Sequence, residues 1–437
     1  ADRKVIKADR DDLAYVTVEL IDKEGRIVPD ADMKVTLSVV GNGIIRGSGN
    51  ACPTDMESFR SLSPKTFKGK AMAILQPDGN VGEITLNVSA EGMKGASITI
   101  RTVDRMSAKQ EGKDIVTPGS IWKDMDGNPI NAHGGGVLYH DGTYYWYGEY
   151  KGEHTYRSPG VDWDCYRTEA GGVSCYSSKD LYNWKFEGIV LEPDTLNPHS
   201  DIHPSMVIER PKVIYNDETG KFVMWMHIDS YNYWKAAAGV AVSDSPTGKF
   251  TYLRSMHPNG QISRDMTLFK DDDGKAYHIY SSEGNATLYI SLLTDDYLDH
   301  SGTYTRNFPN KFREAPAIFK RNGKYYMVTS GCTGWDPNEA EYAVAESILG
   351  PWKAVENPCR GKDADKTFYG QSTFILPVNG KKDGYIMMFD KWNKTNLIDS
   401  RYIWLPIVFE GESLTIPWME TWNLDNIGCR FVGENRK

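Results

Sequence analysis

No run of apolar residues in the sequence approaches the ~20 that a membrane-spanning helix needs. Positive charge is in short supply. Lys and Arg total 50 against 59 Asp and Glu, a net charge of −9, which argues against nucleic acid or an anionic membrane surface as a partner. The six cysteines are scattered without a Cys-x-x-Cys pair, so ligation of a metal by thiolates is not expected. Cys165 and Cys175 are close enough in sequence to pair across a loop, a point that spacing leaves open. The chain begins at Ala1 rather than Met, which reads as removal of a leader such as a signal peptide. The expectation is a secreted or periplasmic protein, with surface attachment left open.

Aromatic residues are abundant at 12% of the chain, with 12 Trp and 25 Tyr. Their first use is packing. The sharper use is stacking against sugar faces, whose C–H surfaces suit aromatic rings.

Residues 1–104 alternate apolar and polar side chains with period 2: Ala14, Val16, Val18 and Leu20, then Met33, Val35, Leu37 and Val39, then Ile84, Leu86 and Val88. Turns such as Asp22-Lys23-Glu24-Gly25 separate these runs. The pattern predicts an antiparallel β-sandwich of about 100 residues. It carries no catalytic constellation. The polar, aperiodic stretch 105–117 reads as a linker.

From 118 to 432 almost nothing reads as helix, and one phrase recurs five times. Its clearest copy is Arg313-Glu314-Ala315-Pro316-Ala317-Ile318-Phe319, a turn through Asn322-Gly323, then Tyr325-Tyr326-Met327-Val328. Asn-Gly between two β-prone runs is a strong hairpin signal. Other copies start at Gly135-Gly136, Glu209-Arg210-Pro211, Arg264-Asp265 and Gln371-Ser372, roughly 50–75 residues apart. Several strands per unit at such a period predict an all-β fold, a five-bladed β-propeller preceded by the sandwich. The heads of the inner strands then meet at one end of the central channel and gather Glu209, Asp265, Glu314 and Gln371. Three carboxylates at one phase of a repeat suit glycoside hydrolysis, which usually needs a pair of acidic groups, one with a raised pKa. Asp180–Trp184, Ser245–Phe250 and Leu349–Trp352 fall between third and fourth strands and read as blade-to-blade packing turns. His199, Asp201 and His203 match no standard metal spacing. Asp271-Asp272-Asp273-Gly274 lacks the distal Glu of a calcium loop and reads as a hairpin tip.

Two resemblances extend this reading. The stretches Asp12–Leu20 and Gly41-Asn42-Gly43 through Gly49-Asn50 resemble the immunoglobulin-like domain near the C-terminal end of many family 2 glycoside hydrolases, an accessory module. Ala132–Gly136, Tyr145–Glu149, Val173–Ser178, Glu209–Val213, Ser263–Asp265, Glu314–Pro316, Gly334-Trp335, Tyr369–Gln371 and Ser400–Trp404 resemble, in order, the propeller of glycoside hydrolase family 43, in its exo-β-1,3-galactanase branch. The resemblance implies an inverting exo-glycosidase that releases galactose from β-1,3-galactan, the backbone of arabinogalactan, with no cofactor and an oligo- or polysaccharide as partner. It implies Glu314 as general acid and Asp265 as the carboxylate that tunes it. The wider family places an Asp base at the head of the first blade, where His133-Gly134-Gly135-Gly136 offers none. The branch shares this departure, and there a Gln at the position of Gln371 holds the attacking water. A neutral amide would act by positioning or through an unusual tautomer. Glu209 stays open as the other base candidate, being in the branch more a contact to a sugar hydroxyl. Glu149, Tyr233, Trp335 and His133 complete the implied sugar-binding set. Rival readings are the family's arabinofuranosidase or β-xylosidase activity, and a catalytically weak galactan-binding protein.

Overall fold

The structure is a computed structural model and describes residues 1–8, 12–103 and 115–428. The chain forms two compact units, Ala1–Asp114 and Ile115–Lys437. Most of the stretch read as a linker, 105–117, lies outside the described residues.

In the first unit the period-2 pattern becomes two facing sheets. One pairs Val5–Lys7, Ala96–Val103, Gly82–Ala90 and Val35–Gly41; the other pairs Ala14–Glu19, Lys70–Pro77 and Gly43–Gly49. Ala14–Glu19 alternates strictly between buried and exposed positions. Its inward residues join Leu37, Leu75, Ile84, Leu86 and Ile100 in one core. The expectation of a wholly antiparallel sandwich needs one correction, because Val5–Lys7 runs parallel to Ala96–Val103. Parallel partners require a long connection, and here nearly the whole unit separates the two strands.

The second unit is a β-propeller. Five antiparallel sheets follow one another along the chain, and each begins with a strand predicted from the repeated phrase. These first strands are His133–His140, Val207–Asn216, Met266–Lys270, Arg313–Arg321 and Gln371–Pro377. Each packs on the first strand of the next sheet, and the fifth packs on the first. Backbone hydrogen bonds between Val116 and Trp422 tie the start of the unit to its end. Among the described residues the only helices are short 3-10 turns.

Aromatic side chains fill the wedges between sheets. Trp184, in the turn at 180–184, meets Trp146 at 5.3 Å, and Trp146 meets Trp404 of the fifth sheet at 4.8 Å. Phe250 of the second sheet meets Tyr147 of the first at 6.1 Å. Cys165 and Cys175 are buried free thiols.

The third sheet buries a histidine pair, with Nδ1 of His278 3.0 Å from Nε2 of His300. Trp225 and Tyr280 stack on His278. Burial, together with His300, pushes His278 well below its usual value, and burial takes His300 down to about 4. Both are therefore neutral when folded and protonated on unfolding at mildly acidic pH. Their contribution to stability is complete above about pH 6.5 and is lost as pH falls toward 4. The propeller should lose about 2 kcal/mol between pH 7 and 4.5 from His300 alone. Calorimetric melts across that range check this, and a His300→Asn variant with the same pH slope as wild type would refute it.

Candidate active site

Four of the five first strands carry a one-residue bulge near their head, in three of them directly beyond the head residue. Glu209 pairs with His227 and Lys212 with Trp225; Glu314 pairs with Ser330 and Ala317 with Val328; His133 pairs with Glu149 and Gly136 with Tyr147. A shift of the same kind lies between Ser372 and Phe374. In three of these bulges the residue after the head is left-handed: Gly134 at φ 58°, Arg210 at 55° and Ala315 at 52°. Bulges re-aim side chains, and a bulge tolerates proline because the ladder needs no N–H there. This explains Pro211 and Pro316 within inner strands. Whereas His133 turns inward against Tyr402, the bulges at Glu209 and Glu314 turn these head residues toward the channel mouth.

There they line a pocket of about 1060 Å³ that holds Glu149, Glu209, Arg210, Asp265, Glu314 and Gln371. The centre is Arg210, only 4% exposed. Its Nε and Nη2 donate to the two oxygens of Asp265 at 3.2 and 3.0 Å. Nη2 also donates to Oε1 of Gln371 at 2.5 Å, and Nη1 to the carbonyl of Ser372 at 2.8 Å. The Arg210 backbone N–H donates to Glu149 at 2.9 Å. Glu149 is itself paired with Lys151 at 2.5 Å.

Gln371 links this fork to Glu314. Its Nε2 donates to Oε1 of Glu314 at 2.9 Å, while Oε1 accepts from both Arg210 and Nε1 of Trp392. Burial and the nearby Asp265 carboxylate push Glu314 up to about 8, against smaller pulls from Cys332, Arg210 and Gln371. Glu314 therefore keeps its proton at neutral pH.

Glu209 is the opposite case. Its carboxylate accepts from Tyr233 at 2.5 Å and meets Nδ1 of His227 at 3.2 Å, with Asp229 behind His227 at 2.9 Å. Burial alone would raise Glu209. His227, Lys151 and Tyr233 outweigh it and hold the group down at about 2. Ligand atoms of Glu209, His227 and Asp265 lie within 4.8 Å of one another. Each is already taken up by hydrogen bonds, and the Arg210 guanidinium supplies positive charge at the spot, so the set is that of an ion-pair network.

Of the residues singled out from sequence, Glu149, Glu209, Tyr233, Asp265, Glu314, Trp335 and Gln371 all line the pocket. Trp335 Nε1 donates to the carbonyl of Asp164 and so joins two loops of the wall. His133 requires a correction. Its ring is fully buried, stacked on Tyr402 at 4.9 Å with Nδ1 3.4 Å from Asp390, and it lies behind the wall where no sugar reaches it. Sequence reasoning missed Arg210 as a hub, and it missed His227, Asp229, Asp390 and Trp392. The signal for three of these was present. His227, Asp229 and Asp390 are polar residues near the ends of otherwise apolar second strands, as Glu149 is.

The glycine run has a steric reason. A Cβ on Gly134 would overlap the Glu149 carboxylate, one on Gly135 the Tyr147 carbonyl, and one on Gly136 would come within 2.7 Å of the Lys212 side chain. No aspartate fits at any of these three glycines without displacing its neighbours.

A ring of sheets whose inner ends converge on a protonated carboxyl, an ionised carboxylate and an arginine-held amide is the arrangement of a glycoside-cleaving propeller. Residues 135–389 match the model described as glycosyl hydrolases family 43, and residues 1–99 match that of glycoside hydrolase family 2 C-terminal domain 5. The chain belongs to glycosyl hydrolase family 43, with an immunoglobulin-like unit ahead of its glycoside hydrolase propeller. A family 43 β-1,3-galactosidase solved with galactodeoxynojirimycin is 48% identical, covering 70% of this chain and 100% of that one, with a TM-score of 0.66. An exo-β-1,3-galactanase from Phanerochaete chrysosporium, solved with β-1,3-galactotriose, is 36% identical over 71% of this chain and 68% of that one, with a TM-score of 0.63. β-Galactosidase BoGH2A of Bacteroides ovatus is 41% identical over 99 residues, which are 23% of this chain and 12% of that protein. The chain thus spans a small part of that curated relative.

Removing one partner of a buried ion pair costs about 3–5 kcal/mol. Arg210→Met should therefore destabilise the propeller by about that amount, and adding Asp265→Asn should recover part of the loss. Denaturant unfolding of both single variants and the double variant measures the coupling; purely additive losses would sink the pairing.

Proposed function

We propose that this chain is an inverting exo-glycosidase that releases galactose from β-1,3-galactan. The five sheets are read as five blades of a catalytic domain spanning 118–432, with 1–104 as an accessory domain and 105–117 as linker. Such a polymer lies outside the cell, which supports a secreted or periplasmic location. The observation that carries the reading is the contact between a carboxyl that keeps its proton at neutral pH, Glu314, and the arginine-held amide of Gln371. The printed activities of the related galactosidase and galactanase support it.

Glu314 donates its proton to the leaving glycosidic oxygen. Asp265, gripped by the Arg210 fork, favours that proton through the charge of its carboxylate. Glu209, held near 2, is a weak base. Its role is to accept hydrogen bonds from sugar hydroxyls, alongside Glu149 and Tyr233. Water on the far side of the anomeric carbon, oriented by Gln371, bonds to that carbon as the glycosidic bond breaks; its surplus proton leaves to solvent water, from which Glu314 is reprotonated. Both lone-pair directions of the Gln371 Oε1 accept hydrogen bonds, from Arg210 and Trp392. Water therefore takes the place of one donor when substrate enters, and Trp392, the neutral one, is the donor that yields. Orientation of this kind can supply several kcal/mol of barrier lowering. The crowding at Gly134–Gly136 counts against the arabinofuranosidase or β-xylosidase alternative, which uses an aspartate there.

The deciding experiment follows sugars released from β-1,3-galactan and, in parallel, from pentose aryl glycosides. Galactose alone, with the α anomer appearing first by NMR, is the expected result. Release of pentose only, or retention on a galactan gel without turnover, would overturn the reading. Glu314→Gln should abolish turnover while binding stays measurable. Gln371→Ala should lower kcat by about a hundredfold or more with little change in KM. Because the active form of Glu314 is protonated, kcat/KM should fall tenfold per pH unit above about 8. A profile flat to pH 9.5 would remove Glu314 from the acid role.

A further inference from the structure

We propose that Tyr369, Lys366 and Lys391 form a subsite for a carboxylate-bearing sugar, a uronosyl unit branching from the polymer whose end occupies the pocket. The proposal rests on the galactan reading above and names a further feature of the substrate.

Three observations carry it. The first is placement. Tyr369 and Lys391 line the pocket, Tyr369 is 40% exposed, and it stands two residues before Gln371. The second is backbone strain. Thr367, Phe368 and Tyr369 have φ of 49°, 58° and 64°, three non-glycine residues in succession in the left-handed region. L residues avoid this region through a clash of Cβ with the backbone, and such conformations persist where the surroundings enforce them, often at ligand sites. The enforcement is visible. Thr367 Oγ1 donates to the Asn338 carbonyl at 2.7 Å and accepts from the Ala340 N–H at 2.8 Å, and Phe368 is buried at 3% exposure. The strained turn holds the Tyr369 ring at the pocket mouth. Its hydroxyl donates to Asp363 at 3.4 Å.

The third observation is charge. The ammonium groups of Lys366 and Lys391 each stand 5.6 Å from the Tyr369 ring centroid. Most other cations of the pocket wall are held: Lys151 pairs with Glu149, Arg210 with Asp265, Lys394 with Asp164 and Arg401 with Asp399, while Arg264 donates to the Tyr233 carbonyl. Among the described residues, Lys366 and Lys391 are in ring contact but in no ion pair. In a chain of net charge −9, two like charges converge on one half-exposed ring. The ring attracts both cations but neutralises neither. An aromatic face suits the C–H surface of a sugar, and two flanking ammonium groups suit its carboxylate. A neutral branch would leave both charges unanswered.

The test compares three polymers: linear β-1,3-galactan, the same backbone bearing uronosyl branches, and that branched polymer after its carboxyls are reduced to alcohols. Wild type should show a kcat/KM on the carboxylate form about three- to tenfold above the reduced form at low ionic strength, with the ratio falling toward one as salt screens it. In Lys366→Met/Lys391→Met the ratio should be near one at every salt concentration, and Lys366→Arg/Lys391→Arg should restore it. A wild-type ratio near one, or a ratio unchanged in the methionine variant, overturns the subsite while turnover of linear galactan leaves the galactanase reading standing. No turnover of linear galactan by wild type overturns both.

Discussion

One guanidinium holds this site together. Arg210 belongs to the second sheet, yet it bonds to Asp265 beside the third, to Gln371 and Ser372 of the fifth, and through its backbone to Glu149 of the first. Gln371 passes the link on to Glu314 of the fourth. A ring of sheets has no covalent reason to keep its inner ends in register, since each sheet twists on its own hydrogen bonds. A buried cation that cannot lose its proton, with a planar fork of five donors, sets those ends at fixed separations. Smaller contacts repeat the theme, with Ser372 donating to the Ala315 carbonyl and Thr373 to that of Gly135.

The same cation divides the carboxylates into two classes. Glu209 and Glu314 are equivalent in the repeat and both are partly buried, yet one is held near 2 and the other near 8. Burial raises both. The difference lies in the neighbours. Glu209 faces His227, Lys151 and the Tyr233 hydroxyl, all of which favour charge. Glu314 faces Asp265, which opposes it, and Arg210 reaches it chiefly through an amide. An amide at 371 can accept from Arg210 and donate to Glu314 at once. A carboxylate there could not donate, and it would add a negative charge beside an acid that must stay neutral.

The propeller and the convergence of its strand heads were legible in the sequence because both follow from a repeat with period-2 patterning. Glu209 and Glu314 stood out because each is the one acidic residue of its inner strand. Glu-x-Pro was part of the quoted phrase, although its meaning as a bulge emerges only from the paired register. Arg210 was visible only as part of the Glu209-Arg210-Pro211 phrase. Its real partner, Asp265, is 55 residues away in another sheet, a pairing no local pattern encodes. His133 misled for a related reason. Its place in a motif marked it as important, but importance for packing against Tyr402 and Asp390 looks the same in sequence as contact with a sugar. The parallel strand Val5–Lys7 was invisible because three residues carry no periodicity.

The glycine run at 134–136 ties these threads together. Wherever a side chain would start, an atom already stands: the Glu149 carboxylate, the Tyr147 carbonyl or the Lys212 chain. Lys212 is 1% exposed, donates to the Gly134 carbonyl at 2.7 Å, and is brought down to about 7 by burial and by Arg210. Two basic side chains thus fill the channel beside the first strand. A carboxylate introduced there would have to displace Glu149, which lies in the same space and accepts the Arg210 N–H. The absence of an acid from this strand is therefore a packing condition of the whole cluster. A polar group placed against Glu314 must come from another sheet, and Gln371, joined to both Arg210 and Glu314, is the head residue that the fifth sheet supplies.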